Sequence, residues 1–150
     1  MICRTTQLIL LFAAATSVAI ADESCSLDSS ADVDVGEYSP VNFVSFLSDK
    51  PCGRVFVQEA VDDWVRVEDL PGLFELIEST EPSRSVALMV SSFIDNGRST
   101  VGKEVQFVLL GLKHGSYPPA LNSTRHNLEP KDEILQWLKS DFPELFSADE

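Results

Sequence analysis

The residues that come closest to a recognisable chemical device are Gly97-Arg98-Ser99-Thr100-Val101-Gly102-Lys103-Glu104, which follow the spacing of a phosphate-binding loop as far as the lysine. The match ends there, because such a loop needs Ser or Thr after the lysine to hold magnesium, and Glu104 would repel phosphate. A turn at Asn96-Gly97 followed by a helix capped by Ser99 or Thr100, with Glu104 complementing the helix dipole, accounts for the same residues. A weaker anion site remains conceivable: free N–H groups at a helix start, together with Arg98, Ser99 and Lys103, would suit a carboxylate or sulfate. Between Arg98 and His126 there are four bases, Arg98, Lys103, Lys113 and Arg125, against one acid, Glu104. These bases are expected to pair with the acidic 59–81 stretch of the same molecule, or to stay solvated, more readily than to hold a ligand.

The inventory for catalysis is thin. Two histidines, His114 and His126, have no Gly-x-Ser-x-Gly or His-Glu-x-x-His context. A Ser–His–carboxylate site could still be assembled from distant positions, since such sites are defined by geometry and not by order. His114 also has a structural reason to be where it is, in the last turn of an expected helix, where positive charge is favoured. No catalytic residue, cofactor or metal ligand is therefore assigned.

Residues 1–21 carry one early base, Arg4, then an apolar run through Leu8-Ile9-Leu10-Leu11-Phe12, and close on Ala19-Ile20-Ala21. This is the layout of a cleaved export signal, and the run is too short for a transmembrane helix. A periplasmic or secreted location and no stable membrane anchor are the expectation. Removing 1–21 takes away one base and no acid, which moves the formal charge from −13 to −14. It also removes Cys3 and leaves Cys25 and Cys52, for which a disulfide is expected in an oxidising compartment. So acidic a chain disfavours nucleic acid and anionic bilayers, and favours a basic protein partner.

The mature chain of 129 residues suits one domain. Residues 22–38, with six acids and no base over 22–37, read as a flexible acidic arm, and 39–150 as a single α-helical domain. Ser39-Pro40 starts a helix over 40–48 with Val41, Val44 and Leu47 on one face. Val57, Ala60, Val61, Trp64 and Val65 recur at helical spacing, with Glu59, Asp62 and Asp63 between them. Further helices are expected over 68–79, opened by Glu68-Asp69, then across Val86–Ile94, across Val101–Leu112 up to Gly115, and from Glu129-Pro130 to Phe142-Pro143. The rival reading makes Val86–Ile94 and Gln106–Leu112 buried strands, which periodicity does not separate from buried helix. Residues 68–94, an acidic-start segment containing Leu70-Pro71, a Glu81-Pro82 turn and a second apolar segment, resemble a HEAT-type repeat hairpin. The resemblance implies an antiparallel helix pair that buries one face against a neighbour.

The expected fold is thus an all-α bundle or short array of about five to six helices. Its expected contact surfaces are Glu59, Asp62, Asp63, Glu68 and Asp69, together with the loop 115–128 that carries Tyr117, Arg125 and His126. That loop is long for a helical domain, and its aromatic, Arg and His residues are of types that make interface contacts. Equally, Tyr117 and Leu121 would serve to close over the core. Asn122-Ser123-Thr124 is a glycosylation acceptor in a eukaryotic host. The functional expectation is a protein-binding module, of the kind that inhibits or confers immunity to a basic cell-envelope hydrolase or toxin. The alternatives are a small exported hydrolase or a secreted effector.

Overall fold

A computed structural model of the chain describes residues 30–88, 97–119 and 129–147. Strand β1 (Ser30–Val33) leads to α1 (Pro40–Asp49), β2 (Arg54–Val57) and the short β3 (Val61–Asp62). There follow α2 (Leu70–Leu76), β4 (Pro82–Leu88), β5 (Arg98–Thr100), α3 (Val101–His114), β6 (Ser116–Tyr117) and α4 (Lys131–Asp141). The main sheet has the order β1-β2-β4-β5, and β3 pairs with β6 in a separate two-stranded ladder. Strands β1, β2 and β4 are mutually parallel and β5 is antiparallel to β4. The fold is therefore α/β, and the all-α expectation is wrong.

The error has a physical source. Strands buried in a parallel sheet are almost continuously apolar, so Val86 and its neighbours carry no alternation that would separate strand from buried helix. Of the two segments in the rival reading, Val86 does lie in a strand, whereas Gln106–Leu112 lie within α3. The helical spacing of Val57, Ala60, Val61, Trp64 and Val65 is accidental: Val57 ends β2, Val61 opens β3, and the residues between them are extended or turning. The resemblance to a helical hairpin fails for the same reason, because α2 covers its first half and β4 begins the second. The expected arm also contributes to the fold, since β1 lies within 22–38 and pairs with β2, and Val35 is buried. Cys52 precedes β2 and is held in a disulfide, and its expected partner Cys25 is not among the residues described.

The three helices α1, α2 and α3 touch one another, and α1 and α3 both touch β4, so they form one layer on one face of the sheet. Val33, Val55, Val57 and Val86 point into that layer against Phe43, Val44, Leu47, Leu73, Val105 and Val108. Helix α1 starts where the sequence says it should: Ser39 Oγ accepts from Asn42 N, and Pro40 occupies the first turn. Helix α3 is capped by Thr100, whose side chain accepts from Lys103 N, and it ends at Gly115 in the left-handed conformation (φ 72°), which glycine adopts without strain. Helix α4 lies against α3 and buries Ile134 and Leu138. Among the described residues no helix is long and apolar enough to cross a membrane.

Candidate functional site at the C-terminal end of the sheet

Because β1, β2 and β4 are parallel, their C-terminal ends share one end of the molecule. Among the described residues two connections leave from it, 34–39 after β1 and 58–69 after β2. Helix α3 returns to the same place. Its first amide, Val101 N, donates to Glu81 O beside the start of β4. Fourteen residues at about 1.5 Å each then carry its C-terminus some ~21 Å to the opposite end. There Asp63 N donates to Gly115 O at 3.0 Å, and β3 pairs with β6 in the register Val61↔Tyr117 and Asp62↔Ser116. The topology thus brings together two stretches that the sequence analysis treated separately, the acidic 59–63 segment and the start of the 115–128 loop.

An aromatic cluster fixes this end. Tyr117 is 1% exposed and lies among Trp64 (centroids 4.7 Å apart), Phe107 (5.5 Å) and Phe43 (6.0 Å). Such pairs each contribute about 0.5–1.5 kcal/mol beyond their burial. Gly111 lets the ring in, since a Cβ there would stand 3.0 Å from Tyr117 Cβ. Trp64 is anchored at its polar edge by Nε1–H donating to Tyr38 O at 2.9 Å. Tyr117, expected as a surface contact or as a lid, therefore lies in the core and holds the ladder in place.

On this base Glu59, Asp62 and Asp63 are exposed, and among the described residues none of their side chains makes a hydrogen bond or ion pair. Asp63 adopts a left-handed backbone (φ 52°), uncommon outside glycine but tolerated by aspartate, and its amide bond to Gly115 holds it there. The two remaining acids of the expected surface are used locally. Asp69 Oδ2 accepts from Arg66 N, and Glu68 lies 3.7 Å from Arg66, both side chains being exposed.

Lys113 and Lys131 do not neutralise this end. Lys113 Nζ bonds Glu129 at 2.6 Å and lies over the Trp137 ring, while Lys131 bonds Glu78 at 2.7 Å; both ties serve to seat α4. Neither reaches 59–63. The expected anion site is differently built from its sequence reading. Residues 98–100 are strand β5, not a loop, with Ser99 opposite Ser83. Val101 N goes to Glu81 O, Gly102 N to Ser79 O and Lys103 N to Thr100 Oγ, so the first amides of α3 are spent on the protein itself. Glu104 is buried (1% exposed) instead of facing solvent at the helix start. Arg125 and His126 lie outside the described residues, as does the Asn122 acceptor.

His114 is exposed, with no hydrogen bond or ion pair of its side chain among the described residues. No group of three metal-binding side chains occurs among them either. Among the described residues the strand order runs without reversal from β1 to β5, with no switch point of the kind at which open α/β sheets commonly form a ligand crevice. One buried charge went unnoticed in the sequence: Arg84 on β4, 6% exposed, whose Nη2 donates to Phe46 O at 2.6 Å and whose guanidinium lies 4.2 Å from the Phe46 ring centroid. The only signal for it was an arginine at the start of an apolar run. No protein-family model matches the chain, and neither a curated protein nor a solved structure matches it.

Proposed function

We propose that the protein is an exported acidic binding module that holds a basic protein partner against the end of the sheet where Glu59, Asp62 and Asp63 stand. An inhibitor or immunity-type role towards a basic cell-envelope hydrolase or toxin fits that chemistry. One observation carries the reading: three exposed carboxylates that make no ion pair among the described residues are set on a segment held by the β3–β6 ladder and the Trp64–Tyr117 packing. Charges fixed in this way cost little ordering entropy on binding and speed encounter with an oppositely charged partner. The leader at 1–21 and the acidity of the whole chain point to the same class of partner.

The test is capture from a periplasmic or extracellular extract by the immobilised protein, at low salt and at about 0.5 M salt, where exposed charges are screened. The reading expects a basic protein retained at low salt and released at high salt. It also expects that protein to be lost by Glu59→Gln/Asp62→Asn/Asp63→Asn and kept by Asp132→Asn/Glu133→Gln on α4. Equal retention by both variants would remove the acidic end as the contact.

A further inference from the structure

We propose that Arg84 on β4 and Arg98 on β5 form a binding site for a small oxyanion, a carboxylate or a phosphate-type group, at the end of the sheet away from Glu59, Asp62 and Asp63.

Strand pairing sets the site. Arg84 and Arg98 are directly opposed in the antiparallel β4–β5 register, which puts both side chains on one face of the sheet with their Cβ atoms about 4.5–5.5 Å apart. Like charges so placed repel each other, and an anion between them turns that repulsion into attraction. Ser99, one residue along, falls on the other face, so of these two strand residues the register places only Arg98 beside Arg84.

Arg84 also lacks the partners that a buried guanidinium calls for. The residue is 6% exposed and carries five N–H donors, yet it makes one hydrogen bond, from Nη2 to Phe46 O. Its Nε is buried and meets no acceptor among the described residues. No carboxylate among them forms an ion pair with it: Asp49, at the end of α1, acts on Arg84 only through its field, and burial holds the Arg84 pKa below its ordinary value. An oxyanion accepting from Nε–H would supply the missing counter-charge, and the planar guanidinium fork matches carboxylate and phosphate geometry. Arg98 is exposed on β5, the last strand of the order β1-β2-β4-β5, so the approach to Arg84 runs over this strand and not through the helix layer. Lys50 after α1 and Arg54 at the start of β2 add to the positive field at this end, and Asp49 and Glu81 oppose it.

The test follows the arginine Nε–H signals of the full, isotope-labelled protein by NMR, the Arg84 signal being the one absent from Arg84→Met. Sodium acetate and sodium phosphate are titrated separately, with sodium chloride at matched ionic strength as the reference. The Arg84 signal should shift saturably with acetate, with phosphate or with both, and should stay in place with chloride. Saturation by acetate alone identifies a planar carboxylate site, and saturation by phosphate alone a tetrahedral one. Arg98→Gln should weaken the binding about sixfold, the effect of one charge at about 4 Å in water, whereas Lys139→Gln on the exposed side of α4 should leave it unchanged. No saturable shift with either salt, the same shift with chloride, or wild-type affinity in Arg98→Gln would overturn the site.

Discussion

Arg84 offers a sharp test of how the helix layer is held to the sheet. Its guanidinium donates to Phe46 O in the last turn of α1 and lies on the Phe46 ring, so it meets both an end carbonyl and the negative end of the helix dipole. A hydrogen bond from a charged group is worth about 1.5–3 kcal/mol, and the dipole adds about 0.3–1 kcal/mol. Against this stands the cost of removing a guanidinium from water without a carboxylate in contact, several kcal/mol on the order usual for buried ions. Burial pulls the Arg84 pKa below its ordinary value, only partly opposed by Asp49 and Tyr38, which marks desolvation as the larger influence. A base with a lowered folded pKa costs stability while it is charged. A guanidinium stays charged in proteins, so that cost is constant and Arg84 contributes no pH dependence between about pH 5 and 9.

It follows that Arg84→Met, which keeps an apolar stem of similar length, should lie within about 1 kcal/mol of wild type. Arg84→Ala also loses the burial of two to three methylenes at about 0.8 kcal/mol each, and should cost about 3 kcal/mol. Urea denaturation followed by far-UV circular dichroism, at several pH values, measures both. If Arg84→Met costs as much as Arg84→Ala, the polar contact to Phe46 O and not the packed stem secures α1, and the reasoning is refuted.

Gly102→Ala should cost about 2 kcal/mol despite the better helix propensity of alanine, because its Cβ would stand 2.6 Å from Ile77 O and 2.7 Å from Ser79 O; thermal unfolding reads this directly. At the left-handed Asp63, Asp63→Asn should leave stability nearly unchanged, while Asp63→Val should lose about 1–2 kcal/mol, as the comparison of their melting temperatures will tell. Glu129→Gln breaks the tie to Lys113, a pair about 30% exposed on each side, and should cost under about 1 kcal/mol in urea titrations.

Much of the local structure was legible in the sequence where a side chain or backbone preference dictates it. Ser39-Pro40 marked the start of α1, Gly115 the end of α3, and Pro130 and Pro143 bracketed α4. What was not legible depends on partners distant in the chain. Val55 and Val86 are strand neighbours only because β2 and β4 pair, and a short apolar run does not reveal whether hydrogen bonds run along it or across it. The acids at 59–63 were picked out by charge alone and assigned to a helix face; their true support, a two-residue ladder to Ser116 and Tyr117, has no signal in either segment by itself. Tyr117 reads in the sequence equally as an interface residue and as a side chain closing over the core, since a loop tyrosine looks alike in both roles, and it lies in the core at the aromatic cluster.

The central claim is that the basic partner meets the end of the sheet formed by the 58–64 connection and the β6 turn. Amide hydrogen exchange of the full protein, with and without the captured partner, tests it most directly. Added protection is expected at residues 58–64 and 114–117, with α4 unchanged. Protection confined to α4, or to the face of the sheet bearing Arg54 and Phe56, with 58–64 exchanging as before, would contradict it.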